Sequence, residues 1–360
     1  MIRIRDIDIV TVRLNTDLVG RIAITPNGMA AFEYNEHWLA KGYSISPFFL
    51  PLKPGVFTAK QHPFNGNFGV FADSLPDGWG NLLLDRLLKK YQVNPASLNL
   101  IQRLAIVGSN GMGALCYEPE FSLVSPIGSN DLNTIAVEVE KILGEEEYTS
   151  ELEKLWFMAG SSAGARPKVM IKHNYEHWLV KFPSSTDSKD IGTVEYQHSL
   201  LAKKAGLQMP ETKLFEGKFF GVKRFDIVNN QRAHVLSAAG LLHADFRLPS
   251  LDYTELIKAT RALTRDENEV EKMFRLMVFN VLIGNKDDHA KNFSFIYTSK
   301  QWQCSPAYDI LPSNGIGDEH TTSVAGNGKP QVDDLLRVAE QTSIPKPKAA
   351  QIIDEVRSAV

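Results

Sequence analysis

At the start of the chain apolar and polar positions alternate: Ile7 and Ile9, then Val10, Val12 and Leu14. A period of two marks half-buried strand, and Thr16-Asp17 and Pro26-Asn27-Gly28 supply the turns between strands. The period changes between Ser74 and Tyr91, where Leu82, Leu83, Leu87, Leu88 and Tyr91 recur at helical spacing behind Asp77-Gly78. A short helix is expected over 98–107, followed by the glycine-broken stretch Gly108-Ser109-Asn110-Gly111-Met112-Gly113. Pro119, Ser125, Pro126, Gly128 and Ser129 have the composition of a linker.

The middle of the chain predicts a helix over 132–143 capped by Asp131, then a turn beginning at Phe157. Strands follow over 168–172 and 177–182 with a hairpin turn at His173-Asn174. A helix over 193–205 should end at Gly206, and two further strands fit 212–216 and 219–225 around Gly217. Beyond Asp226 the pattern is mostly helical, over 253–263, 268–282, 333–340 and after Pro347, with a strand over 293–297. The expected fold is therefore α+β and bilobal. A β-rich N-terminal subdomain over 1–120 precedes a sheet-rich lobe over 121–225 and a helical lobe over 226–360.

Composition narrows this picture without redirecting it. Of the 360 residues 43% are hydrophobic and 22% charged, which excludes a disordered or fibrous chain. The net charge of −3 excludes a protein that coats polyanions, so any nucleic acid would be met through a local basic face or a partner. Cys116 and Cys304 are the only cysteines, too few for a disulfide scaffold and without histidines at zinc spacing. The longest apolar neighbourhood, 273–284, is broken by Arg275 and Asn280, and the charged first residues lack the apolar core of a signal peptide. A reduced, cytoplasmic setting with no membrane partner is expected.

Four segments carry candidate chemistry. Gly160-Ser161-Ser162-Ala163-Gly164-Ala165-Arg166-Pro167-Lys168 is rich in small residues that let backbone N–H groups approach a phosphate, although its spacing is not that of a Walker loop and alone it is an ordinary flexible turn. Lys181, on a strand downstream, and Glu195, in the next helix, follow in the order a protein kinase uses; each is otherwise a surface residue. In Gly284-Asn285-Lys286-Asp287-Asp288-His289-Ala290-Lys291-Asn292-Phe293, Asp287 and Asn292 stand five apart, the separation of base and metal-ligand asparagine in a kinase catalytic loop. Asp309, in Tyr308-Asp309-Ile310, falls where a kinase keeps its second acidic metal ligand. His289 can be a base, a metal ligand or a histidine that braces the loop. Lys223-Arg224-Phe225-Asp226 joins the two expected lobes and could offer backbone groups and an apolar wall to an adenine. A metal-dependent phosphodiesterase using Asp287, Asp288, His289 and Asp309 explains the acids but leaves the glycine loop and Lys181 without a role.

Together these segments, with Phe71-Ala72-Asp73-Ser74-Leu75-Pro76-Asp77-Gly78-Trp79 and 107–115, make a chain that resembles the HipA family, the serine/threonine kinase toxins of bacterial toxin–antitoxin modules. The resemblance runs over nearly the whole length, and Asp287-Asp288-His289-Ala290-Lys291-Asn292 is its most specific element. It implies a kinase-like core with an added N-terminal subdomain, ATP and Mg2+ as cofactors, Asp287 as catalytic base, and Asn292 and Asp309 as magnesium ligands. It also implies an ATP site drawn from Gly160, Ser161, Ser162, Ala163, Gly164, Ala165, Arg166, Lys168, Lys181, Lys223, Phe225, His289 and Lys291. Family members phosphorylate a loop serine on themselves and so switch off; Ser161 is the position implied here, with Ser162 second. Implied partners are a HipB-like DNA-binding antitoxin, through which alone DNA is met, and a protein substrate; the family's targets include an aminoacyl-tRNA synthetase. The runner-up is a weakly active nucleotide-binding corepressor acting through an antitoxin–operator complex.

Overall fold

Alternation at the start of the chain builds an antiparallel sheet of β1 (Ile9–Leu14), β2 (Asp17–Ile24), β3 (Ala30–Tyr34), β4 (Val56–Thr58) and β5 (Leu115–Glu118), in the order β4-β3-β2-β1-β5. The computed structural model describes residues 6–121, 131–144, 151–162 and 164–360. Val10 lies opposite Ile22 and Ile22 opposite Phe32, so one face of the sheet carries a buried apolar row. Gly20 is required where β2 passes β3, because a Cβ there would come within 2.2 Å of the Glu33 carbonyl oxygen. Four helices accompany this sheet: α1 (Glu36–Lys41), α2 (Gly69–Ala72), α3 (Gly78–Lys90) and α4 (Leu100–Val107). The Asp77 carboxylate accepts the Gly78 N–H at the start of α3, and Asn99 with Gln102 forms a reciprocal cap on α4.

Past α5 (Leu132–Leu143) and α6 (Leu152–Ala159), strands β6 (Lys168–His173) and β7 (Glu176–Lys181) lead to α7 (Ile191–Lys204) and to β8 (Thr212–Phe215) and β9 (Phe219–Lys223). The four strands form an antiparallel sheet in the order β6-β7-β9-β8. Its first turn falls at Asn174 and Tyr175, one residue later than the pattern suggests, because β6 continues to His173, which pairs with Glu176. Both turn residues have positive φ, as a two-residue hairpin requires. The sheet is covered by α3, α5 and α6, which contribute Trp79, Leu83, Leu87, Ile135, Leu155 and Trp156 against Val169, Trp178, Val180 and Phe215. Helix α6 is thus where the pattern suggested only a turn from Phe157; the preceding Leu152, Leu155 and Trp156 bury one face of it. Trp79 also donates its indole N–H to the Lys168 carbonyl at 3.1 Å, tying α3 to the first residue of β6.

The remaining elements are the small hairpin β10 (Ile227–Val228) and β11 (Gln231–Arg232), β12 (His234–Ser237), α8 (Ala238–Leu242), β13 (Leu251–Asp252), α9 (Tyr253–Thr264), α10 (Glu267–Ile283), β14 (Ser294–Thr298), β15 (Gln301–Cys304), β16 (Thr322–Ser323), α11 (Val332–Gln341) and α12 (Lys346–Ala359). Helix α10 buries Met273, Phe274, Met277, Val278 and Phe279 and ends at Gly284, whose φ of 70° suits glycine. The chain divides into two compact units, Met1–Thr193 with Thr212–His234, and Val194–Glu211 with Val235–Val360. The first therefore holds both sheets described above, and the second holds the helices from α8 onward. Linker candidates Ser125, Pro126, Gly128 and Ser129 lie outside the described residues. Among the described residues no helix is long and apolar enough to cross a membrane.

Two stability consequences follow from this packing. Trp79 is 1% exposed, so Trp79→Ala should cost about 3–5 kcal/mol through lost burial and a residual cavity, read from urea unfolding followed by circular dichroism. His234 is buried, with Nδ1 3.2 Å from the Tyr43 hydroxyl, and burial pushes its pKa down to about 3. The folded chain therefore holds a neutral ring while the unfolded chain takes up a proton near pH 6.5. Its contribution is complete above about pH 6.5 and declines by up to about 1.4 kcal/mol per pH unit as the pH falls towards the folded value. The urea midpoint of His234→Gln should consequently fall less steeply than that of the wild type between about pH 6.5 and pH 4.

Candidate functional site

In the first unit the glycine-rich segment leaves α6 at Gly160, whose φ of 53° is left-handed, and enters β6 at Lys168. Ser161 and Ser162 are both buried; the Ser161 Oγ accepts the Met112 N–H at 3.0 Å, and the Ser162 hydroxyl has no hydrogen-bond partner among the described residues. Ala163 lies outside the described residues. Gly164 accepts the Trp79 N–H at its carbonyl, 3.1 Å away, and Ala165 is exposed. Arg166 makes an ion pair of 3.0 Å with Asp187. Burial alone would raise the Asp187 carboxyl, but hydrogen bonds from Ser184 and the Arg166 charge hold it below the usual carboxylate range.

Lys168 and Lys181 are directly opposite each other in the β6–β7 register, so their side chains share one face of the sheet. Lys168 is 6% exposed, and a Cβ on Gly164 would lie 2.7 Å from its Nζ. The Lys181 Nζ stands 5.8 Å from the Phe220 ring centroid. Two lysine side chains thus share one sheet face beside a glycine-rich turn. Lys223, at the end of β9, pairs with Glu176, and Phe225 is half-buried just beyond it. Asp226 is fully buried. Burial would raise its carboxyl, yet the hydrogen bonds and charge of Arg224, the Gly113 N–H and the Arg232 charge bring it below its ordinary value. Glu195, the expected helix acid, is a buried residue of α7.

In the second unit the loop after α10 is held from several directions. The Asn285 amide donates to Asn280 Oδ1 at 3.1 Å and to the Asp309 carbonyl at 3.2 Å, while its oxygen accepts the Ser313 hydroxyl at 3.0 Å. Ser313 Oγ in turn accepts the Asp287 N–H at 2.9 Å, and Asn292 Nδ2 donates to the Asp287 carbonyl at 2.6 Å. Asp287, Asn292 and Asp309 are therefore brought into one hydrogen-bonded loop cluster, with Asp287 exposed and the other two half-buried. Asp309 has a φ of 55°, a left-handed conformation that aspartate tolerates better than most residues. His289 caps the short 3₁₀ turn Ala290–Asn292, its Nδ1 accepting the Lys291 N–H at 3.3 Å, as a bracing histidine does. Lys291 Nζ lies 4.0 Å from the centroid of the Phe246 ring.

Asp288 does something the sequence does not disclose. Its carboxylate is completely buried and accepts from the Tyr253 hydroxyl at 2.8 Å, the Thr322 N–H at 3.1 Å and His320 Nδ1 at 2.9 Å. Both oxygens are engaged by protein donors, so Asp288 acts as a structural acceptor within the fold. No sequence signal separates Asp288 from Asp287, because the donors come from more than thirty positions away. Among the described residues no group of three or more His, Cys, Asp or Glu side chains is placed to hold a metal ion. Any cation would thus depend on a mixed set such as Asn292 and Asp309.

This arrangement, a glycine-rich turn over paired lysines in one unit and a braced Asp-x-x-x-x-Asn loop in the other, has close parallels. Residues 160–360 match the HipA-like C-terminal domain and residues 10–118 the HipA N-terminal domain. The chain belongs to the HipA family. A putative kinase of Sinorhizobium fredii, Y4dM, is 25% identical over 332 residues, covering 85% of this chain and 77% of its own. The serine/threonine-protein kinase toxin HipA of Shewanella oneidensis is 23% identical over 317 residues, covering 78% and 69%. The fold matches HipA in the solved Shewanella oneidensis complex of HipA, HipB and operator DNA, with a TM-score of 0.72 at 18% identity over 97% of this chain and 88% of that one.

The neighbouring acids of the loop should answer differently to removal. Asp288→Ala strips acceptors from three buried donors and should destabilise the protein by about 3–5 kcal/mol. Asp287→Ala, at an exposed side chain, should stay within about 1 kcal/mol of the wild type; urea titrations of the two variants check the contrast.

Proposed function

We propose that the chain is an ATP- and magnesium-dependent serine/threonine-protein kinase, the toxin of a toxin–antitoxin module. The observation that carries this reading is the pairing of Lys168 and Lys181 in register beside the glycine-rich turn, in a chain whose second unit binds Asp287, Asn292 and Asp309 into one loop cluster. Lysines opposed across a strand pair put two cationic side chains on one sheet face beside the turn, and a polyphosphate is the ligand such a face suits. In this reading residues 1–120 are the added subdomain, 121–225 the nucleotide lobe and 226–360 the catalytic lobe.

Backbone N–H groups of 160–166 and the two lysines bind the phosphates, and Lys223 with Phe225 borders the adenine. His289 and Lys291 complete the ATP contacts. Asp287 accepts the proton of the substrate hydroxyl as that oxygen attacks the γ-phosphorus, the bond to the β,γ-bridging oxygen breaks and ADP leaves. Asn292 and Asp309 offer the hard oxygen donors magnesium prefers, and the Asn292 amide nitrogen is committed to the Asp287 carbonyl, which ties this ligand to the base. Bound magnesium would neutralise charge on the transferring phosphoryl group. Positioning and charge compensation supply most of the rate, since the phosphoryl transition state is loose.

Ser161 is the proposed site of self-phosphorylation, with Ser162 second. Both hydroxyls are buried, so a phosphate of nearly two negative charges could not remain where Ser161 now sits. The modified loop would have to leave, and with it the phosphate cradle. The relative solved with HipB and operator DNA supports a HipB-like antitoxin as partner. With a net charge of −3, this chain would meet DNA through that partner. The protein substrate is a serine or threonine side chain, and an aminoacyl-tRNA synthetase is the first candidate to assay.

Intact-mass spectrometry before and after incubation with ATP and magnesium tests the reading. The wild type should gain one phosphate mapping to Ser161 or Ser162, and Asp287→Ala should gain none. Retained phosphorylation in Asp287→Ala would remove Asp287 as the base. An initially unmodified chain that binds ATP and gains nothing would instead support a nucleotide-binding corepressor.

A further inference from the structure

The glycine-rich turn of the first unit does not stand alone. A second one, 108–113, lies against it and is itself gripped by a single side chain. Arg232, on β11, donates Nε to the Gly113 carbonyl at 2.5 Å, Nη1 to the Ser109 carbonyl at 2.6 Å and Nη2 to the Gly111 carbonyl at 2.5 Å. The neighbouring Asp226 carboxylate accepts the Gly113 N–H at 2.8 Å, so the turn is held through donor and acceptor groups at once. A planar guanidinium can meet three carbonyls in fixed directions, which an ammonium cannot.

The gripped turn then passes its position on. Met112 donates its N–H to Ser161 Oγ at 3.0 Å, and the Asn110 side chain donates to the Phe157 carbonyl at 2.8 Å, in the last turn of α6. The two segments approach so closely that Gly160 has no room for a Cβ and Gly111 has little. A Cβ on Gly160 would come 2.5 Å from the Asn110 carbonyl oxygen, and one on Gly111 would come 3.0 Å from Ser161 Oγ. On the other side, a Cβ on Gly78 at the start of α3 would come 2.6 Å from Ala165 Cα. Gly160 and Ser161 are therefore held by the N-terminal turn, and Gly164 and Ala165 by the start of α3. The clasp is anchored six residues after Asp226, on β11 of the small two-stranded hairpin that follows β9.

We infer that Arg232 is a positioning residue for the nucleotide loop: by fixing the carbonyls of Ser109, Gly111 and Gly113 it sets the turn that holds Ser161 and the end of α6 in the arrangement that binds phosphate. This deepens the kinase reading and rests on it for the ligand, though not for the clasp. Arg232 touches no substrate. Its loss leaves the loop free to sample arrangements that do not bind, and apparent affinity falls by the fraction of molecules so displaced.

Hydrogen–deuterium exchange of the full chain, with and without a non-hydrolysable ATP analogue, tests this for Arg232→Gln, Arg232→Lys and Asn110→Ala. In Arg232→Gln the amides of 160–166 should exchange about tenfold faster, while those of β6, β7 and the N-terminal sheet stay within about twofold of the wild type. The KM for ATP should rise about five- to tenfold with kcat changed less than about threefold. Arg232→Lys should behave like Arg232→Gln, since it keeps the charge and loses the fork; Asn110→Ala should fall between it and the wild type. Unchanged loop exchange in Arg232→Gln, a uniform rise across the unit, or full rescue by lysine would each overturn the inference, the last by reducing Arg232 to a counter-charge for Asp226. Faster loop exchange in a protein whose wild type binds no ATP analogue would uphold the clasp and defeat the kinase reading.

Discussion

Burying a carboxylate is costly unless both its oxygens find donors, and Asp288 meets that condition with a tyrosine hydroxyl, a backbone N–H and a histidine ring drawn from α9 and the segment around β16. The loop that carries Asp287 and Asn292 depends on it. With Asp288 fixed, Asp287 next to it is left exposed, and the chain around both is set by Asn285 and Ser313. Adjacent acids of the same type thus take opposite roles: one is spent on structure and the other is presented to solvent. The division is enforced by desolvation, since a buried site stabilises only a carboxylate it can fully satisfy.

The first unit solves a different problem. A glycine-rich segment has few side chains of its own to hold it in place. Here the holding is done from outside, by a second glycine-rich turn and by the start of α3. Gly160 is needed at the contact because a Cβ there would meet the Asn110 carbonyl oxygen at 2.5 Å. The N-terminal sheet and the β6-β7-β9-β8 sheet belong to one compact unit. Trp79 fills the core shared by α3 and the β6–β7 hairpin, and its main chain reaches the loop at Gly164. Lys168 and Lys181 stand opposite each other beside this segment.

Much of this was legible in the residues. Helices α3, α5 and α10 announce themselves through apolar spacing and capping residues, and the β6–β7 hairpin through alternation, with its turn displaced by one position because the last pair, His173 and Glu176, still joins the ladder. The short α6 was hidden by the glycine-rich run that follows it. The paired strands β10 to β13 and β16 are two to four residues long and have no local signature; they exist where neighbouring chain offers hydrogen bonds. Asp287, Asn292, Asp309 and Lys181 could be singled out because their order and spacing are written in the chain.

What the sequence by itself determined, then, is the periodicity of the elements, the composition of the loops and the linear order of the chemical groups, all properties set by neighbours a few residues apart. Only the tertiary structure decided which of Asp287 and Asp288 is buried, that Lys168 stands opposite Lys181, and that Arg232 reaches carbonyls more than a hundred positions away. Those outcomes depend on desolvation and on hydrogen-bond geometry between distant segments, and neither exists until the chain has closed around them.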